Sequence, residues 1–135
     1  MTASSPAPAP RPFDPTGTYQ TGMLGEYVVG DLLRSDGWRV LGHRVRTRAG
    51  ELDIVARRGD LVVFGEVKST RRTGTDLARL VDARMKLRLR RSAIAWMAGF
   101  PAHQVGVRRY RFDVFLVSTE HDGDAPTVVH LPNAF

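Results

Sequence analysis

A hairpin signal near the middle of the chain constrains the fold more than any other feature. Residues 51–57 and 61–68 are rich in Val, Ile and Phe, which favour β-strands. Between them lies Gly59-Asp60, and a glycine and an aspartate in a two-residue loop suit the tight turn of a β-hairpin. The two segments are therefore predicted to pair as antiparallel strands.

The register of this hairpin determines which side chains meet. With the glycine and the aspartate as the loop, Arg58 pairs with Leu61, and the same register places Asp53 directly opposite Glu66. Side chains alternate between the two faces of a strand. One face is therefore predicted to carry Glu51, Asp53, Glu66 and Lys68, and the other is predicted to be a core face of Leu52, Ile54, Ala56, Leu61, Val63 and Val67.

Two opposed carboxylates in this position need a positive charge between them. Opposite residues have Cβ atoms roughly 4.5–5.5 Å apart, at which distance two carboxylates repel each other. Mg²⁺ accepts one or two carboxylates together with water and phosphate, and Lys68 adds an ammonium group. This set suits metal-assisted phosphodiester hydrolysis. The alternative is a solvent-facing ladder in which Glu51 pairs with Lys68, worth about 0.2–1 kcal/mol. Val55 and Phe64 on the same face favour a groove.

Apolar periodicity places helices before and after the hairpin. A helix is predicted at 18–34, and a longer helical stretch at 76–99, broken once, follows a polar loop at 69–75. Further strands are predicted at 38–48, 110–118 and 127–131. This order predicts an α/β domain over residues 18–135, with a central mixed β-sheet flanked by helices.

Composition bounds the remaining possibilities. Residues 1–17 are rich in Pro and Ala and are predicted to form a disordered tail. The net charge of +6 makes nucleic acid the expected partner, the alternative being a merely soluble basic protein. The chain has no cysteine, which excludes disulfides and thiolate metal sites. No apolar run approaches the roughly 18 residues that span a bilayer, so we expect a cytoplasmic protein with no membrane partner.

The hairpin motifs also resemble a known nuclease family. Gly-Glu-Leu-Asp-Ile-Val-Ala at 50–56, followed by Val-Phe-Gly-Glu-Val-Lys at 63–68, resembles the PD-(D/E)xK nuclease core. More narrowly, these motifs are similar to the UPF0102 (YraN-like) family over roughly residues 22–117. The similarity includes Gly-Glu on the first helix, a later Lys and Arg-Phe-Asp. Members of that family resemble archaeal Holliday-junction resolvases in fold. The resemblance implies a restriction-endonuclease-like fold.

The resemblance implies roles for five residues. Asp53 and Glu66 are implied as metal ligands for Mg²⁺ or Mn²⁺, and Lys68 is implied as the catalytic lysine. Glu26 matches the acidic position on the first helix that approaches the metal in such nucleases, and its alternative is an exposed helical glutamate. Glu51 matches the family's Gly-Glu-x-Asp and is expected to orient Lys68 or to hold outer-shell water.

Two further motif positions carry structural expectations. Gly65 stands where a bulky aliphatic residue is usual before the acidic glutamate, on the core face near Ile54, which puts the packing there in question. Arg111-Phe112-Asp113 matches the family motif. Phe112 is predicted to be core, and Asp113 is predicted to be a structural partner rather than a metal ligand.

Basic residues are concentrated C-terminal to the acidic motif. Lys86 matches the family's lysine in the long helix and is the first candidate for a substrate contact. Phosphate contacts are predicted for Lys86, Arg71, Arg72, Arg84, Arg88 and Arg91. The alternative is a solvated helix surface.

Three functions remain open at the level of sequence. The first is a Mg²⁺- or Mn²⁺-dependent endonuclease that hydrolyses DNA, including branched, Holliday-junction-like DNA, and acts as a homodimer by analogy with resolvases. The second is a catalytically inactive nucleic-acid-binding module with a nuclease fold. The third is a partner-binding adaptor whose acidic cluster is structural.

Overall fold

A computed structural model describes residues 18–71, 77–119 and 125–135. The tail predicted at 1–17 lies outside these ranges. In chain order the elements are α1 (Thr18–Ser35), β1 (Arg39–Thr47), β2 (Gly50–Arg58), β3 (Leu61–Thr70), α2 (Leu77–Leu80), α3 (Ala83–Gly99), a short 3-10 turn (Pro101–Gln104), β4 (Arg109–Ser118) and β5 (Thr127–Leu131). No helix in these ranges is long and apolar enough to cross a membrane.

The five strands form one mixed sheet, and this confirms the predicted fold class. They lie in the order in which they occur in the chain, with β3 and β4 parallel and every other pair antiparallel. A parallel pair needs a crossover, and the segment containing α2 and α3 provides it. The hairpin register is confirmed from Arg58 with Leu61 as far as Ile54 with Gly65, but the predicted pair of Asp53 with Glu66 is not part of the ladder.

Each face of the sheet has its own core. Helix α1 contributes Val29 and Leu33 to one core, in which Ile54 and Phe115 are fully buried. Helix α3 covers the other face and supplies a buried stripe of Met85, Leu89, Ala93 and Trp96. Burying both faces in this way explains why the central strands are apolar on both sides.

The alternation predicted for β2 fails at Asp53. Leu52 packs in the α3 core, whereas Ile54 packs in the α1 core, so the prediction that Leu52 and Ile54 share a face is wrong. Between the pairs that these two residues make with β1 stands Arg44, whose φ of 47° is left-handed. Such a conformation is costly for a residue with a side chain.

One predicted boundary differs, and the predicted break in the long helix is confirmed. Ser69 and Thr70 are not in a loop; they extend β3 by pairing with Val117 and Ser118 of β4. The long predicted helix does break once, because the Asp82 side chain accepts a hydrogen bond of 2.8 Å from the Met85 amide and caps the start of α3. Residues 72–75 of the predicted polar loop lie outside the described ranges.

Asp113 joins β4 to the C-terminal segment, and its predicted structural role is confirmed. It is 1% exposed, and both its oxygens accept hydrogen bonds of 2.8 Å from the Arg111 guanidinium. His130 Nε2 lies 2.7 Å from Oδ2, and the Asn133 amide donates to Oδ1. Phe112 packs partly buried against the α3 core, as predicted.

Candidate active site

The candidate site lies where β2 and β3 stop pairing. Beyond Ile54 and Gly65 the backbone ladder ends, and the Val67 amide donates a hydrogen bond of 2.9 Å to Asp53 Oδ2 instead. The Asp53 carboxylate thus takes the place of a strand backbone as the acceptor for β3. Because this bond holds one oxygen, it fixes the orientation of the whole carboxylate beside Glu66.

Glu66 is nearly enclosed, and its two oxygens differ. Its residue exposure is only 4%. Oε1 accepts a hydrogen bond of 2.7 Å from Arg88 Nη2 and lies 3.4 Å from Lys68 Nζ. Oε2 is buried and has no hydrogen-bond partner in the described parts of the chain. A buried carboxylate oxygen without a partner is costly, so it calls for a cation or a donor.

Glu26 approaches the same region from α1. It is 8% exposed, so it is not the exposed helical glutamate of the alternative reading, and it accepts a hydrogen bond of 2.7 Å from Arg44 Nε. Its neighbour Gly25 allows the close approach of α1 to β3. A Cβ atom at Gly25 would lie 2.5 Å from Ser69 Oγ and 3.4 Å from Val67 Cγ1.

The carboxylates lie within each other's electrostatic field. Burial, then the charge of Glu66, raises the pKa of Asp53 from 3.8 to about 7. The Val67 amide and Arg88 oppose this rise, and Glu26 adds to it. Burial likewise raises the pKa of Glu26; Arg44 opposes the rise, and the charges of Glu51 and Glu66 add to it. A strongly raised carboxyl pKa, such as that of Asp53, is typical of functional sites.

The donor set fits a hard divalent cation through two carboxylates. No three acidic or histidine side chains in the described ranges stand in an arrangement that could hold a metal ion. Mg²⁺, however, commonly uses only one or two carboxylates and completes its shell with water and phosphate. Asp53 and Glu66 supply such a pair. Oε2 of Glu66, which has no hydrogen-bond partner among the described residues, is available as a metal-ligating atom. In the present arrangement Glu26 is held by Arg44.

The predicted basic residues are divided among several surroundings. Arg88 points into the acidic pair, and Lys86 Nζ lies 5.9 Å from the centre of the Phe135 ring. Like Arg88, three other residues of the set are exposed, namely Arg71, Arg84 and Arg91. Arg72 lies outside the described residues. Phosphate contact by this set remains a prediction.

Three features of the site carried no clear sequence signal. Arg44 holds Glu26 from a left-handed position within β1, and strand sequences do not reveal such a position. The pairing of Arg88 with Glu66 depends on how α3 crosses the sheet. Arg46 and Arg48 line a cavity of about 540 Å³ at the C-terminal end of α3, beside Phe100. Neither arginine belongs to the basic set predicted from the sequence.

A mixed sheet between two helices, with acidic residues and a lysine at the fork of a central hairpin, is compatible with the restriction-endonuclease-like class of α/β proteins. Within that class the chain belongs to the family described as Uncharacterised protein family UPF0102, whose model matches residues 25–117. The family resemblance predicted from the motifs is thereby confirmed.

Relatives in several bacteria show the same membership over most of the chain. A UPF0102 protein of Rhizorhabdus wittichii is 47% identical over 96 residues, which cover 71% of this chain and 78% of the relative. One from Trichlorobacter lovleyi is 38% identical over 121 residues, covering 88% and 92% respectively. One from Parafrankia is 42% identical over 117 residues, covering 84% and 94%.

Proposed function

We propose that this protein is a Mg²⁺- or Mn²⁺-dependent endonuclease that hydrolyses phosphodiester bonds in DNA. One observation carries the proposal: at the fork of β2 and β3, burial and the charge of Glu66 raise the pKa of Asp53, and one buried oxygen of Glu66, beside Lys68, has no partner among the described residues. A purely structural pair of acids would be expected to have all its oxygens satisfied, as Asp113 does elsewhere in this fold.

Asp53 and Glu66 would hold the cation, and the surrounding residues orient them. A bound divalent cation supplies charge neutralisation at the phosphate and a more acidic water. The Val67 amide fixes Asp53, and the packing of Phe64 and Val62 in the α3 core fixes the strand that carries Glu66. These rigid supports favour a preorganised site.

Lys68 is the residue placed to handle water or phosphate. Its side chain is 41% exposed, and its Nζ lies 3.4 Å from Glu66 Oε1, so the ammonium group bridges the buried carboxylate and the solvent. Three rotatable N–H donors let it hold a water molecule or a phosphate oxygen next to the acids. We assign Lys68 to positioning the attacking water or the scissile phosphate.

DNA backbone binding is attributed to the exposed arginines of α3. Arg84 and Arg91 are exposed on the helix that also carries Arg88 to the site. Positive side chains along one helix suit sequence-independent phosphate contacts. The resemblance to resolvases suggests branched DNA as substrate and a homodimer as the active form, and both belong to this proposal.

A cleavage assay across substrate shapes tests the proposal. End-labelled four-way junction, flap, linear duplex and single-stranded DNA are incubated with the full chain and Mg²⁺, Mn²⁺ or EDTA. We expect metal-dependent cutting that Glu66→Gln abolishes, because the variant keeps the shape of the side chain but loses its charge. Equal products from the wild type and Glu66→Gln would contradict the proposal.

A nucleic-acid-binding module without cleavage is the second candidate. The observation that favours it is the Arg88–Glu66 ion pair, which balances part of the acidic charge from within the chain. In that case DNA would bind with strong salt dependence, but no substrate would be cut with either metal. The same assay, combined with a binding titration, therefore separates the two candidates.

A further inference from the structure

Arg88 connects α3 to the acidic pair and shares an oxygen with the lysine. Its Nη2 donates to Glu66 Oε1 at 2.7 Å, and Lys68 Nζ approaches the same atom at 3.4 Å. Two cationic groups therefore meet at Oε1, while Oε2 has no partner among the described residues. The proposed metal ligand is already engaged by a charged side chain of the same protein.

The guanidinium acts as a counter-ion for both acids. Its charge lowers the pKa of Asp53, against the larger effects of burial and of Glu66. Burial would lower the pKa of Arg88, but the hydrogen bond and charge of Glu66 outweigh it and raise that pKa. Because an arginine stays protonated throughout the physiological range, a change of pH within that range does not remove its charge. A competing cation can displace it from the carboxylate.

Arg88 is placed so that its charged end can move without disturbing the core. Its side chain is 42% exposed, whereas that of Glu66 is 5% exposed. The buried stripe of α3 is formed by its neighbours, with Leu89 fully buried next to it. A long side chain of this kind can turn its head group toward solvent while the helix stays packed.

We propose that Arg88 and a divalent cation compete for the Glu66 carboxylate, and that the displaced guanidinium then binds a phosphate of the nucleic acid. This inference rests on the proposed function. The planar guanidinium suits the receiving group, because it forms paired hydrogen bonds with phosphate oxygens. Cation binding and nucleic-acid binding are then coupled through one side chain, by the same factor in both directions.

Calorimetric titration of the full chain with Mn²⁺ alone tests the competition. Arg88→Ala is expected to bind Mn²⁺ about 10-fold more tightly than the wild type, within the range common for coupled sites. Arg90→Ala is the charge-matched control, since the Arg90 guanidinium lies 5.3 Å from the centre of the Phe135 ring. It is expected to leave Mn²⁺ affinity unchanged. Equal or weaker Mn²⁺ binding by Arg88→Ala would overturn the inference.

Two further measurements keep the test decisive if Arg88→Ala folds poorly. In the wild type, Mg²⁺ is expected to shift the Arg88 Nε–Hε nuclear magnetic resonance toward the position of a solvent-exposed guanidinium; an unchanged signal at saturating Mg²⁺ overturns the competition. Mg²⁺ is also expected to tighten wild-type binding to cleavage-resistant phosphorothioate DNA about fivefold. Arg88→Lys is expected to lose most of this gain, and its full retention overturns the phosphate step.

The outcomes also separate this inference from the function on which it rests. If the wild type binds Mn²⁺ and cuts DNA but Arg88→Ala has unchanged Mn²⁺ affinity, the competition is wrong and the nuclease proposal stands. If neither the wild type nor any variant binds Mn²⁺, both are wrong.

Discussion

Asp53 Oδ2 accepts a hydrogen bond of 2.9 Å from the Val67 amide, at the point where the ladder between β2 and β3 has ended. This one contact serves the fold and the site together. It satisfies a strand amide that would otherwise lack its cross-strand acceptor, and it orients a carboxylate whose pKa is raised to about 7 by burial and by the charge of Glu66. Above that pH, the buried charge of Asp53 weakens the fold.

Replacing Asp53 with asparagine is expected to stabilise the protein at neutral and basic pH. The pKa of Asp53 rises on folding from 3.8 to about 7, so its favourable contribution is complete below about pH 4 and is lost as the pH rises through about 7. Asparagine keeps an acceptor for Val67 but carries no charge. In thermal unfolding with EDTA, the free energy of unfolding of Asp53→Asn should exceed that of the wild type by on the order of 1–3 kcal/mol near pH 8. Near pH 4 the two free energies should be equal. A less stable variant near pH 8 would contradict this.

Divalent cations are expected to make the wild type more stable than Asp53→Asn near pH 8. A cation that binds only the folded protein stabilises it by mass action, by about 2.7 kcal/mol at a concentration 100 times the dissociation constant. Excess Mg²⁺ should therefore raise the melting temperature of the wild type and leave Asp53→Asn almost unchanged. Asp31→Asn, at an exposed position on α1, serves as the control and should respond to Mg²⁺ as the wild type does. Equal Mg²⁺ responses in all three proteins would exclude Asp53 as a ligand.

Gly65 is expected to tolerate no side chain. A Cβ atom there would lie 2.5 Å from Ile54 Cγ2 and 3.1 Å from Phe115 Cε2, so the space that a bulkier residue would fill is already occupied. Gly65→Ala should lower the free energy of unfolding by roughly 1–3 kcal/mol, measured by urea denaturation. Gly99→Ala is the control, because nothing lies within 4 Å of the added atom. Equal stability of Gly65→Ala and Gly99→Ala would refute the clash.

Asp113 is expected to govern the acid limit of the fold. Burial alone would raise its pKa, but hydrogen bonds from His130, Arg111 and the Asn133 amide together hold that pKa below 3.8. A carboxyl group whose pKa is lowered by folding stabilises the protein at pH values above its ordinary pKa. This stabilisation is lost as the pH falls through the lowered pKa. Asp113→Asn should cost about 2–4 kcal/mol near neutral pH, because it leaves partly buried Arg111 without its charged partner. The cost should shrink in strong acid, and a constant cost across the pH range would contradict this origin.

Backbone contacts by α3 are expected to appear in the salt dependence of DNA binding. Each phosphate contact contributes about −0.9 to the slope of log affinity against log salt concentration. The double variant Arg84→Ala with Arg91→Ala should therefore bind duplex DNA more weakly and make the slope less negative by about 2. Arg39→Ala with Arg58→Ala removes the same charge from the β1–β2 side. An equal effect of both double variants would indicate a general charge effect rather than an α3 binding face.

The sequence specified those parts of the fold that depend on local pattern and turn chemistry. Gly59 has a φ of 60°, the left-handed conformation that a tight turn favours, and this turn sets the register as far as Ile54. The family motif likewise marked Asp53, Glu66 and Lys68, which lie together at the fork. The placement of Leu52 was missed because strict alternation of faces does not hold at Asp53, where β2 lies opposite the stretch of β1 that contains the left-handed Arg44.

The remaining features depend on tertiary placement. The spacing of Arg84, Arg88 and Arg91 places them on one face of a helix, but only the crossing of α3 over the sheet decides that Arg88 reaches Glu66. Gly25 shows the same dependence, since its role follows from the distance between α1 and Ser69 rather than from any helical pattern. A single sequence contains no direct record of such contacts between distant segments.

The central claim is that the Asp53–Glu66 pair holds the cation that cuts DNA. The most direct test is the single-turnover cleavage rate of junction DNA in Mn²⁺ by the wild type, Asp53→Asn and Asp31→Asn. Asp53→Asn should be slower by more than about 100-fold, because loss of a ligand exceeds the 10–100-fold effects of outer-shell changes. Asp31→Asn should match the wild type. Cleavage by Asp53→Asn at the wild-type rate would contradict the account.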